Sequence, residues 1–222
     1  MFANSSIVSS RQLGAHPRLD ELVLRHLWQP FRKPVSAASQ QAFATLAAAI
    51  AADPRPRVLD AGCGTGASSL QLARLHAGAL VIGVDKSAAR LDKGMRAAAL
   101  PGAPENVRLL RCDLVDFWLL AAAAEWRFAR QYLLYPNPWP KPEHVMRRWP
   151  AHPVLPALLH CGGTIELRSN WRPYADEWTR ALSLAGQSWH IDCLVLQAES
   201  PLTPFEAKYQ ASGHALWRVR TD

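Results

Sequence analysis

The stretch "VLDAGCGTGASSLQLAR", residues 58–74, decides the fold. An apolar run meets Asp60, and Gly62, Gly64 and Gly66 follow before a segment with helical spacing. Glycines at a strand-to-helix junction permit a tight turn and let a ligand approach the backbone. The rhythm repeats along the chain. LVIGVD (80–85), VRLLRCD (107–113), QYLLYPN (131–137) and TIELRSN (164–170) are apolar runs that each end in a polar residue. Helix-compatible stretches of roughly 15–25 residues lie between them, the alternation of a parallel sheet.

Upstream, RLDELVLRHLWQPFRK (18–33) carries leucines at roughly helical spacing and predicts a short amphipathic helix ending near Pro30. A second helix is expected over 36–52, with Ser36 or Ser39 as its cap. Residues 1–15 read as a polar tail. The expected organisation is therefore a tail and helical extension over 1–35 and one catalytic-sized domain over 36–222. Two late strands, WHIDCLVLQ (189–197) and HALWRVR (214–220), have no obvious long helix between them and suit an antiparallel pair.

The chain has 222 residues, 49% of them hydrophobic, which supports a sizeable core and excludes global disorder. A net charge of +7 favours an anionic partner such as nucleic acid. Cys63, Cys112, Cys161 and Cys193 are scattered, with no CxxC pair. That argues for buried free thiols, against a zinc knuckle or disulfide framework, and for no metal site. The N-terminus lacks an apolar signal core, and no uncharged run approaches the ~20 residues of a membrane span. A cytoplasmic protein is the expectation.

Two nucleotide cofactors use a glycine turn of this kind. Gly62, Gly64 and Ala67 satisfy the dinucleotide fingerprint G-x-G-x-x-G/A. Asp60, Gly62, Gly64 and Gly66 match the acidic residue and G-x-G-x-G of S-adenosylmethionine sites. Asp60 separates the readings. A carboxylate there repels a dinucleotide's phosphates, whereas S-adenosylmethionine carries an ammonium and a sulfonium and no phosphate. Asp85, at the end of the second strand, can accept hydrogen bonds from two ribose hydroxyls. Asp113, at the end of the third, can meet an adenine amine. Ligands of such sheets bind at the carboxyl ends of the strands.

By the same logic Asn137 ends the fourth strand and points towards the reactive methyl. Pro136 and Pro138 restrict the backbone around it. Trp139 can stack on a base or cap the core. Lys141, His144, Arg147 and Arg148 follow, a cluster suited to a phosphate backbone or simply to solvent. The order Asn-Pro-Trp is also similar to the [DN]PP[YFW] loop of amino methyltransferases, with Trp139 in place of the second proline.

A fuller resemblance covers roughly residues 57–218. YPNPWPKPEHVMRRWPAHP (135–153) resembles the FPDPWPKxxHxKRR segment of the bacterial tRNA (guanine-N7)-methyltransferase family. LRSNWRPYADEW (167–178) is similar to its ATDWxxYxxW segment, and LTPFEAKYQASGHALWR (202–218) to its TxFExKGxxxGHxxW tail. The resemblance implies a Rossmann-like class I fold: α/β, three layers, and a mostly parallel seven-stranded sheet with one strand reversed near the C-terminal edge. It implies S-adenosylmethionine at Asp60, Asp85 and Asp113, tRNA as partner, and substrate contacts from Lys141, Thr203 and Glu206. Lys208 matches a motif residue without an assigned role.

The chain departs from that pattern where the substrate should touch. Asn137 and Asn170 stand where the family has aspartates, Met146 replaces a lysine and Tyr209 a glycine. Guanine N7 has a free lone pair, so alignment supplies much of the rate. Carboxylates would stabilise the positive charge arriving on the purine, and Glu206 is the candidate that remains. Charged hydrogen bonds contribute about 1.5–3 kcal/mol against roughly 0.5–1.5 for neutral ones, so the two asparagines cost rate or change the target atom. Three alternatives stay open: another methyl acceptor, a catalytically silent cofactor- or tRNA-binding homologue, and a nicotinamide-dependent oxidoreductase.

Overall fold

The computed structural model describes residues 5–195 and 201–222. Residues 1–4 of the expected tail and 196–197 of the expected strand 189–197 lie outside them. The strands are β1 (Arg57–Ala61), β2 (Leu80–Asp85), β3 (Val107–Arg111), β4 (Arg130–Leu134), β5 (Thr164–Ser169), β6 (Trp189–Cys193) and β7 (Trp217–Thr221). They form a seven-stranded sheet in the order β3-β2-β1-β4-β5-β7-β6. The α/β architecture expected from the alternating pattern is thereby established.

The helices are α1 (Leu19–Trp28), α2 (Ala37–Ala49), α3 (Ala67–Leu75), α4 (Ala88–Ala98), α5 (Leu114–Ala123), α6 (Leu155–His160), α7 (Arg172–Leu184) and α8 (Pro204–Ala211). Helix α1 stops two residues before Pro30. Helix α2 begins where Ser36 accepts a hydrogen bond from Ser39 N, as its sequence predicts.

The chain divides into two compact units, one of residues 33–132 with 160–163, the other of the remaining segments. In the first, β1 pairs in parallel with β2 and β4, and β2 with β3. Every residue of β2 is buried, which is why LVIGVD is a continuous apolar run rather than an alternating one. An aromatic group of Phe43, Phe117, Trp126 and Phe128 packs in this unit. In the second unit, β7 runs antiparallel to both β5 and β6. Helix α7 buries Tyr174 and Trp178. Arg180 of α7 reaches Asp20 of α1 through two hydrogen bonds.

Four expectations are corrected. The late strands do pair antiparallel, but α8 lies between them, started by Thr203 as cap and Pro204 as first residue. Asp113 does not end β3; it lies two residues beyond and caps α5. Asn137 lies three residues past β4, because Tyr135 turns into the left-handed region (φ 52°) ahead of Pro136. Cys193 is exposed, whereas Cys63, Cys112 and Cys161 are buried free thiols.

One helical glycine ties the elements around the first turn together. A methyl group on Gly94 of α4 would lie 2.5 Å from the Thr65 carbonyl oxygen and 2.8 Å from a Leu109 methyl. Alanine normally stabilises a helix over glycine by about 1 kcal/mol. Here the sign should reverse: Gly94→Ala is expected to cost roughly 1–3 kcal/mol in urea denaturation, because backbone and packed side chain must shift.

Candidate functional site

In the first unit Asp60 and Asp85 flank the glycine turn. Gly62, Gly64 and Gly66 all have positive φ (81°, 57° and 74°), which L side chains rarely adopt. Gly62 N and Cys63 N both donate to the Val84 carbonyl at 2.9 and 3.0 Å, stitching the turn to the end of β2. Added side chains at Gly62 and Gly64 would meet no atom within 4 Å, so bare backbone faces open space there.

Asp60 is 1% exposed. Its Oδ2 accepts from the Ser68 and Ser69 hydroxyls, at 2.6 and 2.7 Å. The serines occupy the first turn of α3, so the strand-end carboxylate is bound to the helix that follows the turn. No ion pair involves Asp60 among the described residues. Burial pushes its carboxyl up to about 6, against the two serine hydrogen bonds that lower it; Asp85 raises it further. A buried carboxylate with no ion pair among the described residues suits a cationic group, such as the ammonium end of S-adenosylmethionine, better than a phosphate.

Asp85 is 7% exposed. Its Oδ2 accepts from Gly64 N at 3.1 Å and its Oδ1 from Ser87 N at 2.8 Å. Arg90 lies 3.7 Å away. Asp113 caps α5 through Val115 N and Asp116 N, and Lys33 lies 3.6 Å from it while bonding Asp116. A cavity of about 470 Å³ is lined by Ser36, Ser39, Lys86, Arg111, Cys112 and Asp113. The structure therefore brings Asp60, Asp85, Asp113 and the three glycines into one unit, at the carboxyl ends of β1, β2 and β3.

The second unit carries the other candidates. Asn137, Lys141 and Arg147 are exposed and His144 is half-buried. Asn137 Oδ1 accepts from Trp139 N at 3.2 Å, closing a local turn. Trp139 has φ 45°, carries Arg147 over its ring at 4.6 Å and meets His144 edge-on. Asn170 Nδ2 lies 3.1 Å from His214 Nδ1, and the other ring nitrogen of His214 contacts the Ser5 carbonyl. The Asn170 amide nitrogen thus faces His214, and its carbonyl oxygen is left for another partner. Thr203 is the buried cap of α8, accepting from Glu206 N.

Two expected substrate contacts are instead internal. Arg148 is fully buried in an ion pair with Glu177 at 2.5 Å and is not offered to a phosphate. Glu206 is also fully buried. Its Oε1 accepts from Tyr135 at 2.8 Å and Arg168 at 2.9 Å, and its Oε2 from Leu202 N at 2.5 Å. The reason is composition. Glu166 and Arg168 project from a central strand, and the guanidinium between two carboxylates recruits Glu206 into the interior. The motif reading missed Ser68, Ser69, Tyr135, Arg168 and Glu177. The signal for Arg168 was present, since charged residues inside an apolar strand demand buried partners.

The raised carboxyl of Asp60 sets a pH dependence. The folded protein holds this proton more tightly than the unfolded chain does. The group thus favours folding below its ordinary value of 3.8, and that contribution is lost as pH rises through about 6. Asp60→Asn keeps the serine contacts and removes the buried charge. It should stabilise the ligand-free protein at pH 7.5 by roughly 1–3 kcal/mol, with the gap to wild type narrowing towards pH 5. The same change should weaken S-adenosylmethionine binding by tenfold or more, on the order of 1.4 kcal/mol, in calorimetric titration.

Comparison with known proteins identifies the family. A family model described as "Putative methyltransferase" matches residues 54–219. A tRNA (guanine-N(7)-)-methyltransferase of Pseudomonas savastanoi pv. phaseolicola is 30% identical over 173 residues, covering 74% of this chain and 70% of the relative. One from Stutzerimonas stutzeri is 29% identical over 176 residues, covering 74% and 71%. Among solved structures, a 16S rRNA methyltransferase superposes with TM-score 0.57 at 21% identity, covering 85% of this chain and 94% of that one. A 16S rRNA (adenine(1408)-N(1))-methyltransferase with cosubstrate SAM gives 0.54 at 20% identity, covering 81% and 90%. The chain belongs to the family of the bacterial tRNA (guanine-N7)-methyltransferases and is an S-adenosylmethionine-dependent methyltransferase.

Proposed function

We propose that this methyltransferase transfers its methyl group to N7 of a guanine in tRNA. The observation that carries the reading is the similarity to tRNA (guanine-N(7)-)-methyltransferases over about three quarters of the chain. A net charge of +7 and the exposed Lys141 and Arg147 support an RNA partner. No described helix is long and apolar enough to cross a membrane, which suits an enzyme working on tRNA in the cytoplasm.

The proposed roles follow from chemistry. Asp60 would hold the cofactor's ammonium, the backbone of Gly62, Gly64 and Gly66 its amino-acid end, Asp85 the ribose hydroxyls and Asp113 the adenine amine. When bound, S-adenosylmethionine supplies a methyl group on an electrophilic sulfonium. Guanine N7 has an available lone pair, so no side chain needs to remove a proton before transfer. The chain's task is to align the base and exclude water. Lys141, His144 and Arg147 would meet the RNA backbone. Asn137 and Asn170 would offer carbonyl oxygens to the purine N1–H and amino group. Thr203 and Glu206 would shape the site from within, Thr203 as helix cap and Glu206 through Tyr135.

A second reading has its own support. Asn137 and Asn170 are neutral, and the one remaining acidic candidate, Glu206, is paired with Arg168. A methyl acceptor that develops less positive charge would suit that environment. A silent homologue would show no turnover at all.

Incubation with radiolabelled S-adenosylmethionine and tRNA lacking N7-methylguanosine should place label in that nucleoside. Label in another nucleoside, or none in tRNA, would sink the proposal. Asn137→Ala should lower kcat about 10²-fold, and Asn137→Asp should raise it about tenfold by restoring a charged acceptor. Lys141→Ala should raise KM and reduce the salt dependence of binding by about one unit of slope.

A further inference from the structure

Arg148 distributes its guanidinium over four partners. Nε donates to the Trp139 carbonyl at 3.1 Å and Nη2 to the Lys141 carbonyl at 3.2 Å. Nη1 donates to Gln12 Oε1 at 3.0 Å and to Glu177 Oε1 at 2.5 Å. The carbonyl between those two backbone acceptors belongs to Pro140, and it accepts from the Ser10 hydroxyl at 2.6 Å. Three consecutive carbonyls of the loop are therefore held, two by Arg148 and one by the N-terminal segment.

That segment is itself fastened. Gln12 N donates to Ser10 Oγ at 3.0 Å. Gln12 Nε2 donates to Glu177 Oε1 at 2.7 Å, and His16 N to the same oxygen at 3.1 Å. One buried carboxylate thus collects the arginine, the glutamine and the segment's backbone. The loop needs such restraint. Trp139 sits at φ 45° and Tyr135 at φ 52°, a region that bulky residues occupy only when their surroundings hold them there. Between them lies exposed Asn137, and just after them exposed Lys141.

We propose that Ser10, Gln12 and Arg148 are positioning residues that preset the 136–141 loop for its acceptor, so that the N-terminal segment is part of the acceptor site. The inference rests on reading this loop as the acceptor loop. It goes beyond the family match, which begins at residue 54 and so does not include Ser10 or Gln12. The arrangement is economical in entropy. A loop already in its working shape loses less freedom when the acceptor arrives. Arginine suits the task because its planar fork reaches two carbonyls and two side chains at once, whereas a lysine presents a single point charge.

The test uses the full-length protein with the double change Ser10→Ala and Gln12→Ala. Both residues are only half-buried, so the fold should survive. Arg148→Lys serves as a second variant. Amide hydrogen exchange in residues 135–149 should accelerate about tenfold in the double variant, with exchange around the glycine turn and calorimetric affinity for S-adenosylmethionine unchanged. With tRNA, KM should rise about tenfold and kcat change less than threefold, because bound acceptor restores the loop. Unchanged exchange in 135–149 overturns the proposal whatever the acceptor is. Faster exchange with unaltered kcat/KM overturns the positioning role. Faster exchange throughout, with lost cofactor affinity, shows a structural role only and also overturns it. If the wild type methylates no tRNA, the functional reading fails on its own, and the exchange measurement alone decides for or against the clamp.

Discussion

The chain leaves the buried parallel strand β1 and enters α3 through a tight turn of left-handed backbone. Gly62, Gly64 and Gly66 supply it, and much of the first unit is arranged around that reversal. The turn's amides reach the end of β2 through Val84 and Asp85. Asp60 reaches the helix that follows through two serine hydroxyls. Gly94 leaves room for the Thr65 carbonyl. The same contacts that close the turn leave open backbone beside Gly62 and Gly64 and a buried carboxylate without a cation among the described residues. Under the proposed function, structural need and ligand chemistry would be met by one set of atoms, and a cationic ligand would relieve the unfavourable burial of Asp60.

The second unit solves a different problem, that of holding strained loop backbone with buried charge. Arg148 and Arg168 are both nearly inaccessible, and each is neutralised by carboxylates at hydrogen-bond distance. Such pairs add little net stability, because desolvation offsets most of the attraction. What they contribute is direction. Arg148 has donors for backbone carbonyls that an apolar core could not satisfy, and Arg168 draws Tyr135 and Glu206 into one network. Each network takes its members from segments far apart in the chain.

That distance explains what could be read beforehand. Features set by neighbours in sequence were legible: the glycine turn, the Ser36 cap, the strand–helix alternation and the antiparallel late strands. The placement of Asp60, Asp85 and Asp113 was legible for the same reason, since each lies at or just past the end of its own strand. The loop candidates were legible as a motif, but their burial was not. Lys141 and Arg148 are seven positions apart with similar charge, yet one is exposed and the other fully enclosed. The difference is made by Glu177 and Gln12, which no local pattern links to either. Glu206 was readable as the carboxylate of the TxFExK-like tail, but Arg168, 38 positions away, decides where its charge goes.

The charge balance of the second unit bears on the chemistry its residues can perform. Methyl transfer to a neutral ring nitrogen moves a positive charge onto the acceptor. An enzyme can meet it with carboxylates or rely on alignment. Here Asn137 and Asn170 are neutral, Glu206 is bonded to Arg168, and Glu177 to Arg148. Glu177 and Glu206 are committed to internal cations, and Asn137 and Asn170 offer dipoles only. Electrostatic stabilisation is therefore the weaker contribution under the proposed reaction, and alignment must carry more of the rate. Alignment is reached at a smaller cost in binding by a loop that keeps its shape without the acceptor, and the Tyr135 hydroxyl and the Trp139 carbonyl are two of the groups that hold it. The fixed backbone carbonyls and the missing aspartates are thus two sides of one arrangement: where charge is withheld from the base, geometry has to be held more firmly.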